Sequence, residues 1–404
     1  MAYISVELNS NDMSHLKKIG FAASAIASLA LVIQCSANVS DGQLNTENPN
    51  RNSDKTDQES TFALDGFENL TVSEPVNYKN LQVFMISGET AADDNDYVTL
   101  KEAMELDLVK IIETSDVNEL AITNKSDKSI FIHAGDIVRG GKQDRVLAFD
   151  MVIDPKAKKQ KLESFCVESG RWQQRGNESD AVFESTTKML SSRDMKIASK
   201  SDEEQGAVWD EVSEQQDKLS ANVSYYAQQP VNVQDAASAS SLELALDNEE
   251  LSEIREAYKA KFENLITEKT IGFGYAINGE VYNFDIYNNR QLFLDLFDKL
   301  LTAAIVEAIT ELDNTQTEYV YLTVEEFNAA LMMSENPEVA AENLNKRTQW
   351  TTEEDDDKIL FTSKDRTTDQ WLHKNFIVKS AQTNAAVSEP YLQLNSEQIN
   401  ANDD

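Results

Sequence analysis

The stretch "IGFGYAINGEVYNFDIY", Ile271 to Tyr287, restricts the fold of this chain more than any other. Two alternating runs flank Asn278-Gly279, the residue pair preferred where both central positions of a turn take positive φ, so the segment predicts a tight β-hairpin. A long apolar pattern at helical spacing follows: Leu292, Phe293, Leu296, Phe297, Leu300, Leu301, Ala304, Ile305, Ala308 and Ile309. A helix with so broad an apolar face needs cover on most of its circumference, and the hairpin is its nearest partner in sequence. Any fold for the chain must therefore contain a hairpin packed under a buried helix.

The remaining pattern sorts into two regions. Upstream it is β-rich. "PVNYKNLQVFMI" opens the folded part, and strands are expected over 120–123 and 129–133. A strand from Arg145 to Ile153 places Leu147, Phe149, Met151 and Ile153 on one face. In "QKLESFCVE", Phe165 and Val167 oppose Cys166 and Glu168. "LKEAMELDLVKI" reads as a short helix after Thr99. Residues 177–247 shift to helix and loop, with helices in "ESDAVFESTTKMLSS" and "EEQGAVWDEVSEQQDKL" and a flexible loop at "NVQDAASASS". A helix over about 248–266 carries Leu251, Ile254, Tyr258, Phe262 and Leu265 on one stripe. A helix near 323–333 and a strand pair, "KILFTSKD" and "WLHKNFIVKS", close the pattern. The expected class is α+β: an N-terminal antiparallel β-sandwich or barrel-like part packed with a C-terminal helix–hairpin–helix part.

The amino terminus has a different character. In "MSHLKKIGFAASAIASLALVIQC", Lys17 and Lys18 precede an apolar run, Ile19 to Ile33, that is shorter than the roughly 20 residues of a membrane span. It reads as an export signal beginning functionally at Met13. Cys35, followed by Ser36 and Ala37, resembles the lipidated cysteine of a bacterial lipoprotein, although Gln34 stands where a small residue is usual. Cleavage after Ala37 is the competing reading. The expected organisation is a signal peptide over 1–34, a disordered tether over 35–72, an α+β domain over 73–380 and a polar tail over 381–404. The protein is expected in the cell envelope, anchored by lipid at Cys35, or periplasmic or secreted if cut after Ala37.

Charge and composition exclude several function classes. Asp and Glu number 71 against 36 Lys and Arg, a net charge of −35, which repels nucleic acid and anionic lipid surfaces. No nucleic-acid partner is expected, and membrane contact only through the anchor. The two cysteines, Cys35 and Cys166, and the three histidines, His15, His133 and His373, are scattered without zinc-ligand spacing. No calcium-loop spacing is visible either, so neither metal nor cofactor is expected.

Three places can carry chemistry. In "DIVRGGKQDRV", Arg139, Gly140, Gly141, Lys142, Gln143 and Arg145 can form a cationic backbone nest for an anion; alternatively they form a tight β-connection whose cations pair with the protein's own carboxylates. No Ser or Thr follows Lys142, so this is not a phosphate-binding P-loop. Cys166, Glu168, Arg171 and Trp172 offer a thiol, a carboxylate, a cation and a stacking ring, or else a buried cysteine, an internal ion pair and a packed ring. His373, in "WLHK", and His133 are the histidines available for acid/base work, and a packing role is the alternative for both.

The blocks "GGKQDRV", "FCVESGRW", "IGFGYAINGEVYNFDIY" leading into "LFLDLFDKLL", and "WLHKNFI" resemble, in order and rough spacing, the ADP-ribosylglycohydrolase and rhodanese-phosphatase associated protein domain family of bacteria. The resemblance covers about Pro75 to Ser380. Where the family has Asn, this chain has Asp144, which adds a negative charge to the loop and weakens an anion-binding reading there. The resemblance implies no assigned activity. Its company with enzymes of ADP-ribose and phosphate chemistry points to phosphorylated or nucleotide-sugar ligands. Two expectations follow. The first is a binding protein for an anionic small molecule or an envelope protein, acting through 139–145 and 166–172. The second is an enzyme on a phosphorylated or ADP-ribose-type substrate, with Glu168, Cys166, His133 or His373 as acid/base or nucleophile.

Overall fold

The computed structural model describes residues 60–379, apart from 65–66, 91–95, 115, 172–174, 176–182 and 317. The expected signal peptide, Cys35, most of the tether, Trp172 and the polar tail lie outside the described residues. The chain begins with β1 (Ser60–Leu64), β2 (Phe67–Val72), β3 (Val76–Tyr78), β4 (Leu81–Ser87), β5 (Tyr97–Thr99), α1 (Leu100–Glu105) and β6 (Val109–Glu113). It continues through β7 (Glu119–Asn124), β8 (Ser129–Ile132), β9 (Asp136–Gly140), β10 (Arg145–Leu147), β11 (Met151–Ile153), β12 (Gln160–Cys166) and β13 (Phe183–Leu190). Four helices follow, α2 (Arg193–Lys200), α3 (Gln205–Ala227), α4 (Leu242–Ala245) and α5 (Glu249–Lys259), and then the hairpin β14 (Thr270–Ile277) and β15 (Glu280–Tyr287). Last come α6 (Arg290–Thr310), α7 (Val324–Ala330), β16 (Glu338–Asn343), β17 (Thr348–Glu354), β18 (Lys358–Asp365) and β19 (Gln370–Val378).

The architecture is mixed α+β with mostly antiparallel sheets. A ten-stranded sheet runs β1-β2-β4-β14-β15-β19-β18-β17-β16, with β3 on β4. A six-stranded sheet runs β13-β9-β10-β12-β7-β6, and a three-stranded sheet β11-β8-β5 contains a parallel pair, β5 with β8. The six-stranded sheet is nearly closed: its edge strands β13 and β6 meet beside Gly141, where Phe183 and Glu113 both approach. Closure of this kind removes exposed sheet edges.

The hairpin forms as its turn residues dictate, with φ of 54° at Asn278 and 82° at Gly279. It does not stand in a separate C-terminal half. β14 pairs with β4 from the N-terminal region and β15 with β19 from the end of the domain, so the hairpin is the middle of the largest sheet. Both of its faces are covered. Phe84, Phe284, Ile286, Phe327 and Phe376 pack on the α7 side, and α6 covers the other, with Phe273, Tyr275 and Phe293 in a larger cluster.

Several expectations change. β1 and β2 extend the folded part into the expected tether, since β2 pairs with β4 and buries Leu70 and Val72. The helix expected in "ESDAVFESTTKMLSS" is instead strand β13, drawn into the sheet by pairing with β9. The single strand expected from Arg145 to Ile153 is two, β10 and β11, in different sheets. Between them the chain turns so that the Asp150 carboxylate accepts the Ala134 N–H at 2.7 Å. β7 and β8 are neighbours in sequence but do not pair: β7 pairs with β6 and β12, β8 with β11 and β5. α2 and the β16–β17 pair have no counterpart in the sequence reading. No helix among the described residues is long and apolar enough to cross a membrane.

Candidate functional site

The glycine loop connects β9 to β10, and Arg145 pairs in register with Cys166 of β12, so the loop and the 166–171 segment are neighbours. The chain turns there through Gly140 (φ 120°) and Gly141 (φ 52°). Its arginines pair internally. Arg145 is fully buried, donating to the Gln143 carbonyl at 2.9 Å and to Glu113 at 3.4 Å. The Arg139 guanidinium lies 3.9 Å from Glu184. The Lys142 N–H donates to Glu113 at 2.9 Å. Gln143 donates to the Glu168 carbonyl at 2.7 Å.

Asp144 and Glu168 form the hub of this latch. Asp144 accepts the Gly140 N–H at 2.9 Å and faces Arg175 at 3.1 Å and Arg171 at 3.4 Å. Glu168 accepts the Asp144 N–H at 2.7 Å, Ser238 at 2.7 Å, Arg175 at 2.9 Å and Arg171 Nε at 2.8 Å. Burial, and then the Glu168 charge, push the Asp144 carboxyl above its ordinary range. Burial acts upward on Glu168 as well, but the Arg171 and Asp144 N–H hydrogen bonds outweigh it and hold that carboxyl below the ordinary value. The cavity beside this segment, about 180 Å³, is lined by Ser169, Trp209, Gln216, Gln234 and Ser240, with no charged side chain. Cys166 is buried, its backbone bracketed by the Gln205 amide at 2.8 Å on both N–H and carbonyl. Burial raises its thiol pKa, so it is held as a thiol.

The two histidines belong to a second, separate group where the sheets meet under α2 and α6. Strand alternation builds it. In β15, Phe284 and Ile286 face α7 while Asn283, Asp285 and Tyr287 face the other way. Register then sets Asp285 opposite Asn375 and Tyr287 opposite His373 on β19. His373 lies between two carboxylates, with Nδ1 2.7 Å from Asp150 and Nε2 2.9 Å from Asp285. Both ring nitrogens therefore donate, and the ring is an imidazolium. Burial alone would lower its pKa; Asp150 and then Asp285 outweigh that and raise it.

His133 is arranged differently. Its Nδ1 lies 2.7 Å from the Ala134 carbonyl, which can only accept, so Nε2 is the acceptor for the Tyr287 hydroxyl at 2.7 Å. Burial, and then the adjacent His373, push the His133 pKa down to about 4, so this ring is neutral. Tyr287 stacks on His373 with ring centroids 4.4 Å apart. Asn375 donates to Asp285 at 2.9 Å and receives Lys200 Nζ at 2.8 Å. Asp136 accepts the His133 N–H at 3.0 Å and pairs with Lys299 of α6.

One turn before Lys200 on α2 is Lys196, 2% exposed. Among the described residues no acceptor lies within hydrogen-bond or ion-pair reach of its ammonium, although its charge is the first of those that hold Asp285 ionised. Burial, then Lys196, lower the Lys200 amine to about 7.

Glu168 and Arg171 do not meet the histidines among the described residues: they lock to Asp144 and Arg175, the histidines to Asp150, Asp285 and Tyr287, while Cys166, near enough to feel the Glu168 charge, is buried and held as a thiol. Sequence reading missed Asp150, Lys196, Lys200, Asp285 and Tyr287. The one available signal was the Asn-x-Asp-x-Tyr alternation of β15, polar groups on the face that the following helix must cover.

Fold and site together define an α+β domain of mostly antiparallel sheets, holding a buried histidine–carboxylate–lysine centre. The chain belongs to the ARG and Rhodanese-Phosphatase-superfamily-associated Protein domain family, whose model matches residues 69–377. No curated protein and no solved structure matches the chain.

Proposed function

We propose that the protein binds an anionic small molecule, and that the binding face is the Lys196–Lys200 side of the histidine–carboxylate centre rather than the glycine loop. The observation that carries this reading is Lys196, a 2% exposed side chain with no acceptor within reach of its ammonium among the described residues. Such a group is costly unless something pairs with it. Lys196, Lys299 and His373 stand against three carboxylates, Asp136, Asp150 and Asp285, and Lys200 adds positive charge when it is protonated, so an entering anion supplies the missing acceptor and balances that charge. At the glycine loop each arginine already has a carboxylate: Arg139 meets Glu184, and Arg145, Arg171 and Arg175 meet Glu113, Asp144 and Glu168.

Titrating inorganic phosphate, ADP-ribose and sugar phosphates while following thermal unfolding tests this. A bound anion is expected to stabilise the wild type by about 2.7 kcal/mol at a hundredfold excess over Kd. Lys196→Met is expected to fold and to lose the shift. An equal shift in the variant, or none in the wild type with any of these anions, sinks the reading.

A second reading, an enzyme acting on a phosphorylated or nucleotide-sugar substrate at the same centre, is favoured by Lys200, whose amine at about 7 can accept a proton near neutral pH. Phosphorus NMR of the same samples separates the two: binding leaves the substrate resonances in place, turnover adds new ones.

The signal pattern before Cys35 supports an exported, lipid-anchored protein. In a bacterial host, labelled palmitate is expected on the wild type in the membrane fraction, with both label and membrane retention lost in Cys35→Ala. Membrane retention of that variant counts against the anchor.

A further inference from the structure

We infer that His133, His373 and Asp285 form a binding site for one divalent transition-metal ion. The argument is independent of anion binding and rests on how the two imidazoles are held. Each ring has its Nδ1–H engaged by a fixed acceptor, the Ala134 carbonyl for His133 and the Asp150 carboxylate for His373, both at 2.7 Å. Metal-bound histidines are oriented in this way, one nitrogen donating to a carbonyl or carboxylate so that the other presents its lone pair to the ion. Here the second nitrogens are both Nε2, that of His373 2.9 Å from Asp285 and that of His133 2.7 Å from the Tyr287 hydroxyl. Ligand atoms of His133, His373 and Asp285 all lie within 4.8 Å of one another. The ring centroids are 4.6 Å apart, and the Tyr287 hydroxyl is alongside, 2.7 Å from His133 Nε2.

The donor set selects the class of ion. Two imidazoles with one carboxylate suit zinc, ferrous iron, cobalt or nickel, whereas magnesium and calcium take oxygen ligands, and no thiolate is present to favour cuprous ion. All three ligands come from different strands or strand ends: His133 just after β8, Asp285 in β15, His373 in β19. The site therefore joins the three-stranded sheet to the ten-stranded one. Loading is a proton exchange. The ion replaces the Nε2 proton of the His373 imidazolium, which leaves to solvent, and the Tyr287 hydroxyl gives up its hydrogen bond to His133 Nε2. Nothing is oxidised or reduced. The incoming charge raises the positive excess beside Lys196, so a metal and an anionic ligand favour one another.

The test uses the full chain, purified without a histidine tag or chelator. Elemental analysis is expected to find about one transition-metal ion per chain. After chelator treatment, added Co²⁺ is expected to give a visible d–d spectrum with nitrogen ligation. Asp150→Asn, which weakens the acceptor behind His373, is expected to lower Co²⁺ affinity by about 10–100-fold. Asp285→Asn and His133→Gln are expected to lower it further, and circular dichroism reports whether each variant is folded. Lys196→Met is expected to keep the metal while losing anion binding, which separates failure here from failure of the anion reading. Folded wild-type protein that carries no metal and gives no Co²⁺ spectrum overturns the inference. Undiminished Co²⁺ binding in folded His133→Gln or Asp285→Asn overturns it equally.

Discussion

Replacing His373 by Leu is expected to cost the domain about 3–5 kcal/mol, the usual penalty for removing one partner of a buried ion pair. Asp150 and Asp285 are both buried and ionised, and His373 is the group they share, at 2.7 and 2.9 Å. Without it Asp150 retains the Ala134 N–H, and Asp285 retains Asn375 and Asn283, and the charges that remain nearby, Lys200 for Asp150 and Lys196 for Asp285, make no ion pair with them among the described residues. A loss of that size is a large fraction of the roughly 5–15 kcal/mol that holds a domain together. Urea unfolding of metal-free protein, followed by tryptophan fluorescence, measures it. Asp150→Asn with His373→Gln in one chain is expected to recover part of the loss, because removing both charges is cheaper than stranding one. A single His373→Leu variant as stable as wild type would show that the network contributes nothing.

Glu168→Gln is the second large effect, again about 3–5 kcal/mol, because both Glu168 oxygens are buried acceptors for Arg171, Arg175, Ser238 and the Asp144 N–H. An amide keeps one acceptor and turns its donor side toward guanidinium groups. The pH dependence has a definite sign. The hydrogen bonds that hold the Glu168 carboxyl below its ordinary value of 4.5 stabilise the fold fully above that pH, and the contribution is lost as pH falls through the lower, folded-state value. Unfolding free energies of wild type and variant are therefore expected to differ most near neutrality and to converge in acid. A gap that stays constant down to pH 2 would remove the charge from the explanation.

These two networks also mark how far the sequence could be read. Asn278-Gly279 and the α6 stripe are signals carried within a few residues, and both formed, whereas the helix expected over about 248–266 ends at Lys259, before Phe262 and Leu265 of its stripe. The block "DIVRGGKQDRV" was legible as a link between adjacent strands next to the Cys166 segment. Whether its arginines faced a cleft or internal carboxylates was not, since Glu113 and Arg175 lie in different strands and loops and nothing local ties them to Arg145 or Asp144. "ESDAVFESTTKMLSS" misled because its apolar residues are spaced for a helix, while β9 offered a ladder to pair with. Tertiary pairing overrode a weak local preference.

By itself the sequence determined the class of fold, the acidic surface and the hairpin under its helix, because periodicity and turn chemistry act between near neighbours. The tertiary structure alone decided the centre. His133 meets Tyr287 across 154 positions, and His373 meets Asp150 across 223. Those partners are set by sheet register and by which faces the helices cover. A buried charge finds its counterpart wherever the fold brings one within reach, and that distance is not written along the chain.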